Sequence, residues 1–503
     1  MAKKLNQIIL VLDFGGQYKE LIARSVRAHR VYSVIRSGTM GANKIKELNP
    51  IGIILTGGPE SVYEGSLKPW DPDIFNLGIP ILGICYGMQL MCHTLGGKVE
   101  KGKTGEYGTT MVHPVNGKAP FLALMSHRDS VSQVPEGFSI SSRTEHYIAS
   151  IECPEKKLYA VQYHPESSHT EDRGETFRHF LFDICGAMGD YDLQDFIENK
   201  IMEIRQEIQH EKVLLAVSGG VDSTVCAGLL SRALGKQLYC VFVDHGFMRQ
   251  NEADEINDLF SRLDLTFISI KAQDRFFKAL EGITNPEEKR KIIGKEFIRV
   301  FEESAAQLGN IPYLAQGTIY PDIVESGGLL GDTIKSHHNV GGIPYNIAFR
   351  SIIEPLSSLF KDEVRIIGQS LDIPKQYIER QPFPGPGLAI RIIGDITQDK
   401  LNKIRHSDSI VREELDKIPN PPDQYFAVLL NTPSVGVKGD ARTYDPVVAI
   451  RAVETTDFMT CNYTPLPHDV LLRMSRRICG EVEGISRVVY DITSKPPSTI
   501  EWE

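Results

Sequence analysis

Tryptophan occurs only twice in the 503 residues, and the eight cysteines, at 85, 92, 153, 185, 226, 240, 461 and 479, are scattered. They form no C-x-x-C pair and accompany no histidine cluster at zinc spacing, which excludes a spacing-built zinc site and fits a reducing cytoplasm. Free cysteine mostly serves as a small buried hydrophobe, so only a cysteine in a special local setting invites a chemical reading. No run of 18 apolar residues is present, so nothing is expected to span a membrane. The opening MAKKLNQIILVLDFGGQ puts two lysines before an apolar stretch, but Asp13 interrupts it and no small-residue cleavage site follows; it reads as a first strand. With no basic run and a formal net charge of -10, long nucleic acid is not an expected partner. Internal repeats and low-complexity tracts are absent too. What is there is a globular composition, 41% hydrophobic and 24% charged, too long for one core and sufficient for two to four domains.

Short runs rich in Ile, Val and Leu (QIILVLDF, IGIILTGGP, IPILGICYG) alternate with longer amphipathic segments, which predicts a mainly parallel sheet covered by helices. After a helix to about Ile184, the Gly- and Asp-rich CGAMGDYDLQDF reads as a linker. A second α/β series opens at Val213 with VLLAVSGGVDSTVCAGLLSRALG, a strand, a glycine turn and a helix with Ser223 near its start and Gly235 as C-cap. It runs to about FKDEVRIIGQSLDI. The Pro- and Gly-rich QPFPGPGLAIR that follows cannot be regular helix, and beyond it lies a third, smaller unit. The expected fold class is therefore α/β: two consecutive mainly parallel α/β domains, at 1–188 and 198–384, followed by a smaller α+β domain at 385–503.

Gly83-Ile84-Cys85-Tyr86-Gly87 places a cysteine between glycines where an apolar strand gives way to a helix-like segment. A sharp strand-to-helix turn exposes such a side chain, the glycines relieve crowding, and a helix N-terminus favours the reactive thiolate. His164-Pro165-Glu166 supplies a base and an acid two residues apart, on one side of an extended segment, so that Glu166 can orient His164. Taken singly, Cys85 would be a core thiol and His164 a satisfied imidazole. Together, G-x-C-x-G-x-Q and H-P-E over residues 7 to 185 resemble the class I (triad) glutamine amidotransferases. That resemblance implies Cys85 as nucleophile, His164 as base and Glu166 as third member, with an oxyanion hole at the N–H groups of Gly58 and Tyr86. It further implies a glutamine pocket that includes Gln89, Ser126 and His127. Two departures stand out: the family's M-S-H-G-D is M-S-H-R-D here, with Arg128 in place of glycine, and the stretch HPVNGKAPFLALMSH is shorter than the family leads one to expect, as though a strand and its loop were absent.

Gly97 to Thr104 fits the Walker A expression G-x-x-x-x-G-K-[ST] letter for letter. A P-loop must follow a strand and open a helix, whereas these residues follow a helix-like stretch and lead into the strand-like GEYGTTMV, so the match is read as chance.

Ser218-Gly219-Gly220-Val221-Asp222-Ser223 sits between a buried strand and a helix, where backbone N–H groups and the helix dipole can cradle phosphate. Any tight βα turn might use Gly-Gly with a polar cap, but S-G-G-x-D-S resembles the PP-loop of ATP pyrophosphatases, which cleave ATP between the α and β phosphates and adenylylate an oxygen of the acceptor. The resemblance assigns residues 218–223, Gly317 and Lys361 to ATP. It assigns Asp222 and Asp362 to Mg²⁺, which with cationic side chains would neutralise the polyphosphate. Asp322, Glu325 and Lys335 match a mobile lid whose glycines at 327, 328, 331, 341 and 342 suit closure over the nucleotide. Outside that context each of these acids and lysines would read as a solvated charge.

KPPSTIEWE and RQPFPGPGLAIR, together with the order of the three units, resemble the GMP synthase family over essentially the whole chain. By that resemblance Lys495, Thr499, Ile500 and Glu501 contact xanthosine 5'-monophosphate (XMP), with Arg249 and Arg391 assisting. Lysine and arginine suit a nucleotide phosphate, and Glu501 suits a ring N–H. The implied partners are the small molecules glutamine, XMP and ATP, and a second copy of the chain through the C-terminal domain. Two rivals remain: another glutamine-dependent PP-loop amide ligase, which should lack this tail, and a PP-loop RNA-binding scaffold without glutaminase activity, which the acidic balance disfavours.

Overall fold

The computed structural model describes residues 7–63, 70–172, 174–325, 349–438, 440–455 and 460–503. The chain divides into two compact units, residues 1–196 and 197–503. All eight cysteines are free. Among the described residues no helix is long and apolar enough to cross a membrane.

In the first unit the apolar runs become the parallel strands Tyr32–Ser37, Ile8–Asp13, Gly52–Leu55, Ile81–Ile84 and Leu158–Val161, in that spatial order. Ile9 to Leu12 and Ile53 to Leu55 are wholly shielded, as expected where helices cover both faces of a sheet and the strands read as continuous hydrophobic runs. The sheet continues through antiparallel strands Ile148–Cys153, Ser139–Arg143, Lys98–Pro114 and Phe121–Gln133. The Walker-like residues from Lys98 onward lie on strand Lys98–Pro114, so they open no helix. The short stretch before Met125 is the far end of a hairpin: Lys98–Pro114 pairs directly with Phe121–Gln133, and residues 115–120 form the turn. The expected linker ends in order, its last residues forming the first turn of helix Leu193–Ile208.

The second unit holds a parallel sheet in the order Thr266–Lys271, Leu238–Asp244, Val213–Val217, Tyr313–Ala315, Ser351–Ile353. The chain starts in the middle and winds outward both ways, so the crevice beside the C-terminal end of Val213–Val217 is a topological switch point, the usual ligand position in open α/β sheets. Residues from 385 onward add the long hairpin Gln424–Lys438 and Ala441–Glu454, with Arg487–Asp491 parallel to the latter, backed by helices Gln398–Leu415 and His468–Glu481. One hydrophobic core runs through both parts of this unit, joining Leu214, Val241 and Phe276 to Leu388, Val411, Val448 and Met474.

Candidate active sites

Cys85 stands between strand Ile81–Ile84 and helix Tyr86–Thr94 with φ 53°, a left-handed conformation rare outside glycine. Its N–H is fixed to the Val161 carbonyl at 2.8 Å. The neighbouring glycines are required by contact: a Cβ on Gly83 would lie 2.7 Å from the carbonyl carbon of Gly87, and one on Gly87 would lie 2.5 Å from the Leu55 oxygen. The elbow is therefore built by backbones touching.

His164 Nδ1 donates to Glu166 Oε1 at 2.7 Å, which leaves Nε2 for the cysteine. Burial opposes charge on this ring, but hydrogen bonding to Cys85 and Glu166 and the Glu166 charge outweigh it, holding the imidazole well above its usual range. The segment is fastened from behind, since the Thr170 hydroxyl donates to the His164 carbonyl at 2.6 Å and accepts from the Leu124 N–H at 3.0 Å. Tyr18 packs edge-on against the imidazole, with ring centres 5.0 Å apart. The N–H groups of Gly58 and Tyr86, both expected at the oxyanion hole, have no acceptor among the described residues. A Cβ on Gly58 would lie 2.9 Å from the Phe14 carbonyl, so that position needs glycine.

A cavity of about 750 Å³ opens on Cys85 and His164 and takes in Gly58, Tyr86, Gln89, Ser126 and His127, so all the expected glutamine-pocket residues border one space. Their roles differ. Gln89 Nε2 donates to the Asp129 carbonyl at 2.9 Å and to Gln162 Oε1 at 3.2 Å, bracing the wall. The imidazole of His127 is buried between the Asp129 carbonyl, 3.0 Å from Nδ1, and Glu106 Oε2, 3.0 Å from Nε2, while Glu106 Oε1 accepts from Thr144 at 2.8 Å. His127 therefore acts as a pin holding the 126–129 segment. Glu106, Thr144 and Gln162 had no signal in the sequence, because their partners lie 21 to 73 residues away and meet only through sheet register.

In the second unit Gly219 has φ +78° and its Cβ position is filled by Ile256, 2.2 Å away. The Ser223 hydroxyl accepts from the Ser218 N–H at 3.3 Å and donates to the Gly220 carbonyl at 3.1 Å, tying the loop to the start of helix Val221–Leu234. A Cβ on Gly317 would sit 3.1 Å from the Ser223 nitrogen, so Gly317 borders the same loop across the switch point. Lys361 Nζ lies 2.6 Å from both carboxylate oxygens of Asp222, which joins two residues 139 positions apart. Asp362 is exposed one residue further on. Asp322 Oδ2 accepts from the Ile319 N–H at 3.0 Å, at the start of helix Tyr320–Glu325. The side chain of Glu325, Lys335 and the lid glycines lie outside the described residues.

Among the residues expected to contact XMP, Arg391 is fully buried and holds Glu501 with two bonds, Nε to Oε2 at 3.2 Å and a terminal nitrogen to Oε1 at 2.8 Å. Arg249 and Arg391 both face Asp408, at 3.7 and 3.6 Å, and both lie over the Phe383 ring. The Ile500 side chain packs in a core with Phe426, Val428 and Ala449, so its main chain is the part left for a ligand. Lys495 pairs through its backbone with Cys461, and the Thr499 hydroxyl donates to the Glu501 carbonyl at 2.5 Å. Two further side chains anchor this tail, and neither carries a local signal in the sequence. Arg451, fully buried, donates to the Thr493 carbonyl at 2.5 Å and to the Thr499 carbonyl at 3.3 Å. Lys289, also fully buried, donates to Glu503 Oε2 at 2.6 Å and to the Ile392 carbonyl at 2.7 Å.

A cysteine elbow with a His–Glu pair, followed by a glycine loop at the switch point of a second parallel sheet, defines a glutamine amidotransferase joined to a PP-loop domain. Family models agree: class-I glutamine amidotransferase matches residues 10–184, PP-loop domain residues 193–286, and GMP synthase C terminal domain residues 413–502. A protein of Finegoldia magna named GMP synthase [glutamine-hydrolyzing] is 52% identical over 99% of this chain and 100% of its own. One of the same name from Treponema denticola is 52% identical over 99% of this chain and 98% of its own. The chain belongs to the glutamine-hydrolysing GMP synthase family.

Proposed function

We propose that this chain makes GMP from XMP, with glutamine as nitrogen donor and ATP as activator. The observation that carries the reading is the joining, in one chain, of an assembled Cys85–His164–Glu166 triad to a PP-loop and to a C-terminal part that matches the GMP synthase model. The sulfur of Cys85 attacks the side-chain amide of glutamine, and the N–H groups of Gly58 and Tyr86 receive the developing oxyanion. His164, held protonated by Glu166, gives its proton to the leaving ammonia. It then takes one from the water that cleaves the thioester to glutamate.

In the second unit a carbonyl oxygen on the purine ring of XMP attacks the α-phosphorus of ATP and pyrophosphate leaves. Ammonia then adds to the ring carbon and AMP departs with that oxygen. Activation is needed because a purine carbonyl oxygen is a poor leaving group until it is carried by AMP. The loop 218–223, Gly317 and Lys361 hold the polyphosphate, with Asp322, Glu325 and Lys335 in the lid. XMP is read by Arg249, Lys495, Thr499, the main chain of Ile500 and the Arg391–Glu501 pair. Among the described residues no three His, Cys, Asp or Glu side chains gather to hold a metal. The donor set fits Mg²⁺ carried in on ATP, with Asp222 and Asp362 as protein ligands and phosphate oxygens completing the shell. Bound there, Mg²⁺ would neutralise charge on the polyphosphate.

Residues 1–188, 198–384 and 385–503 are proposed as the glutaminase, synthetase and dimerisation domains of a cytoplasmic homodimer. The exposed Val435, Val437 and Tyr444 on the C-terminal hairpin support a partner there, since such apolar side chains side by side mark interaction surfaces. The test is product analysis with XMP and Mg-ATP, nitrogen being supplied as glutamine or as ammonium. GMP, AMP and pyrophosphate in both mixtures are expected. No GMP from either, with folded protein, would remove XMP as the acceptor.

A further inference from the structure

Arg128 stands on the wall of the Cys85 cavity. Its neighbours on both sides are fixed: the His127 imidazole is pinned between Glu106 and the Asp129 carbonyl, and the Asp129 carboxylate accepts from Ser61 at 2.5 Å and from Tyr63 at 2.7 Å. Side chains alternate along this strand, with Ser126 and Arg128 exposed and His127 buried, so Arg128 shares the face of Ser126, whose carbonyl lies 3.9 Å from the Cys85 sulfur. Arg128 borders the cavity, is exposed, and has no carboxylate partner among the described residues. Lys101, opposite Asp129 in the strand register, borders the same space and likewise has no carboxylate partner among the described residues, whereas Asp129 is engaged by two hydroxyls. The mouth of this cavity thus presents two cations with no carboxylate partner among the described residues.

We infer that Arg128, supported by Lys101, binds the α-carboxylate of glutamine and is a specificity-determining residue of this chain. The planar fork of a guanidinium matches a carboxylate through two parallel bonds, which an ammonium cannot reproduce and a glycine cannot supply. The inference rests on the glutaminase reading of the cavity.

The experiment uses the full-length chain as wild type, Arg128→Gln and Arg128→Lys, with glutamine or 4-aminobutanamide, which keeps the reacting amide and the amine but lacks the α-carboxylate. Arg128→Gln is expected to raise the KM for glutamine about tenfold and to lower the preference for glutamine over 4-aminobutanamide by a similar factor, with Arg128→Lys between the two. Ammonium-dependent synthesis, which runs at the other site, reports that the variants are folded. An unchanged KM and unchanged preference in folded Arg128→Gln would overturn the inference. So would a change confined to the coupling of glutamine use to ATP. If the wild type released no ammonia from glutamine while using ammonium, the glutaminase reading itself would fall, and this inference with it.

Discussion

Replacing Lys289 by methionine tests how the C-terminal tail is held against the proposed XMP site. Lys289 Nζ touches Glu503 Oε2 and the Ala389 and Ile392 carbonyls at 2.6, 3.4 and 2.7 Å, and its side chain is wholly shielded. Burial lowers its pKa and the Glu503 carboxylate works the other way, as expected of a cation kept by its partner. Removing one member of a buried pair costs about 3–5 kcal/mol when the other charge stays buried. Glu503, at the end of the tail, can turn toward water, so about 3 kcal/mol is the appropriate figure. That corresponds to roughly a hundredfold increase in the undocked tail. Hydrogen exchange of residues 495–503 should accelerate by that factor, and the KM for XMP in ammonium-dependent synthesis should rise by up to the same amount. Glu503→Gln keeps the acceptor and loses only the charge, so about tenfold is expected. A folded Lys289→Met protein with unchanged tail exchange and unchanged KM for XMP would refute the reasoning.

Cys85→Ala should lower glutamine-dependent synthesis by about a thousandfold or more while ammonium-dependent synthesis continues, measured as GMP formed from each nitrogen source. Glu166→Gln should lower glutaminase activity about a hundredfold and move the alkaline limb of its pH profile to lower pH. The sign follows from Glu166 raising the His164 pKa, so that without it the imidazolium is lost earlier as pH rises; an unmoved limb would contradict the assignment. Asp222→Ala should reduce synthesis from both nitrogen sources by about a hundredfold and reduce pyrophosphate release in parallel.

The parallel sheets were legible because their strands are continuous Ile, Val and Leu runs separated by helix-length segments. Cys85 and the 218–223 loop were legible because each is a local strand–turn–helix event. The Walker-like string fails on the same ground, since residues from Lys98 onward are strand and open no helix. What stayed hidden was long-range pairing. Glu106 meets His127 only because strand Lys98–Pro114 is irregular between Lys101 and Glu106, a register shift with no mark in the residue pattern. Lys289 and Arg451 carry no local mark of burial in the sequence, yet both are fully buried where the tail passes over them. The expectation of a ring-reading Glu501 likewise had no means of including its bidentate hold by Arg391.

The left-handed backbone of Cys85 has a consequence for how this domain tolerates change. A non-glycine residue there costs about 1–3 kcal/mol, a cost glycine would not carry. Selection for stability alone would thus favour the one substitution that removes the nucleophile, and the domain would become sturdier by becoming inert. Cysteine at position 85 is kept against the grain of its own fold, so a lineage released from the need for glutamine would be expected to lose this side chain early.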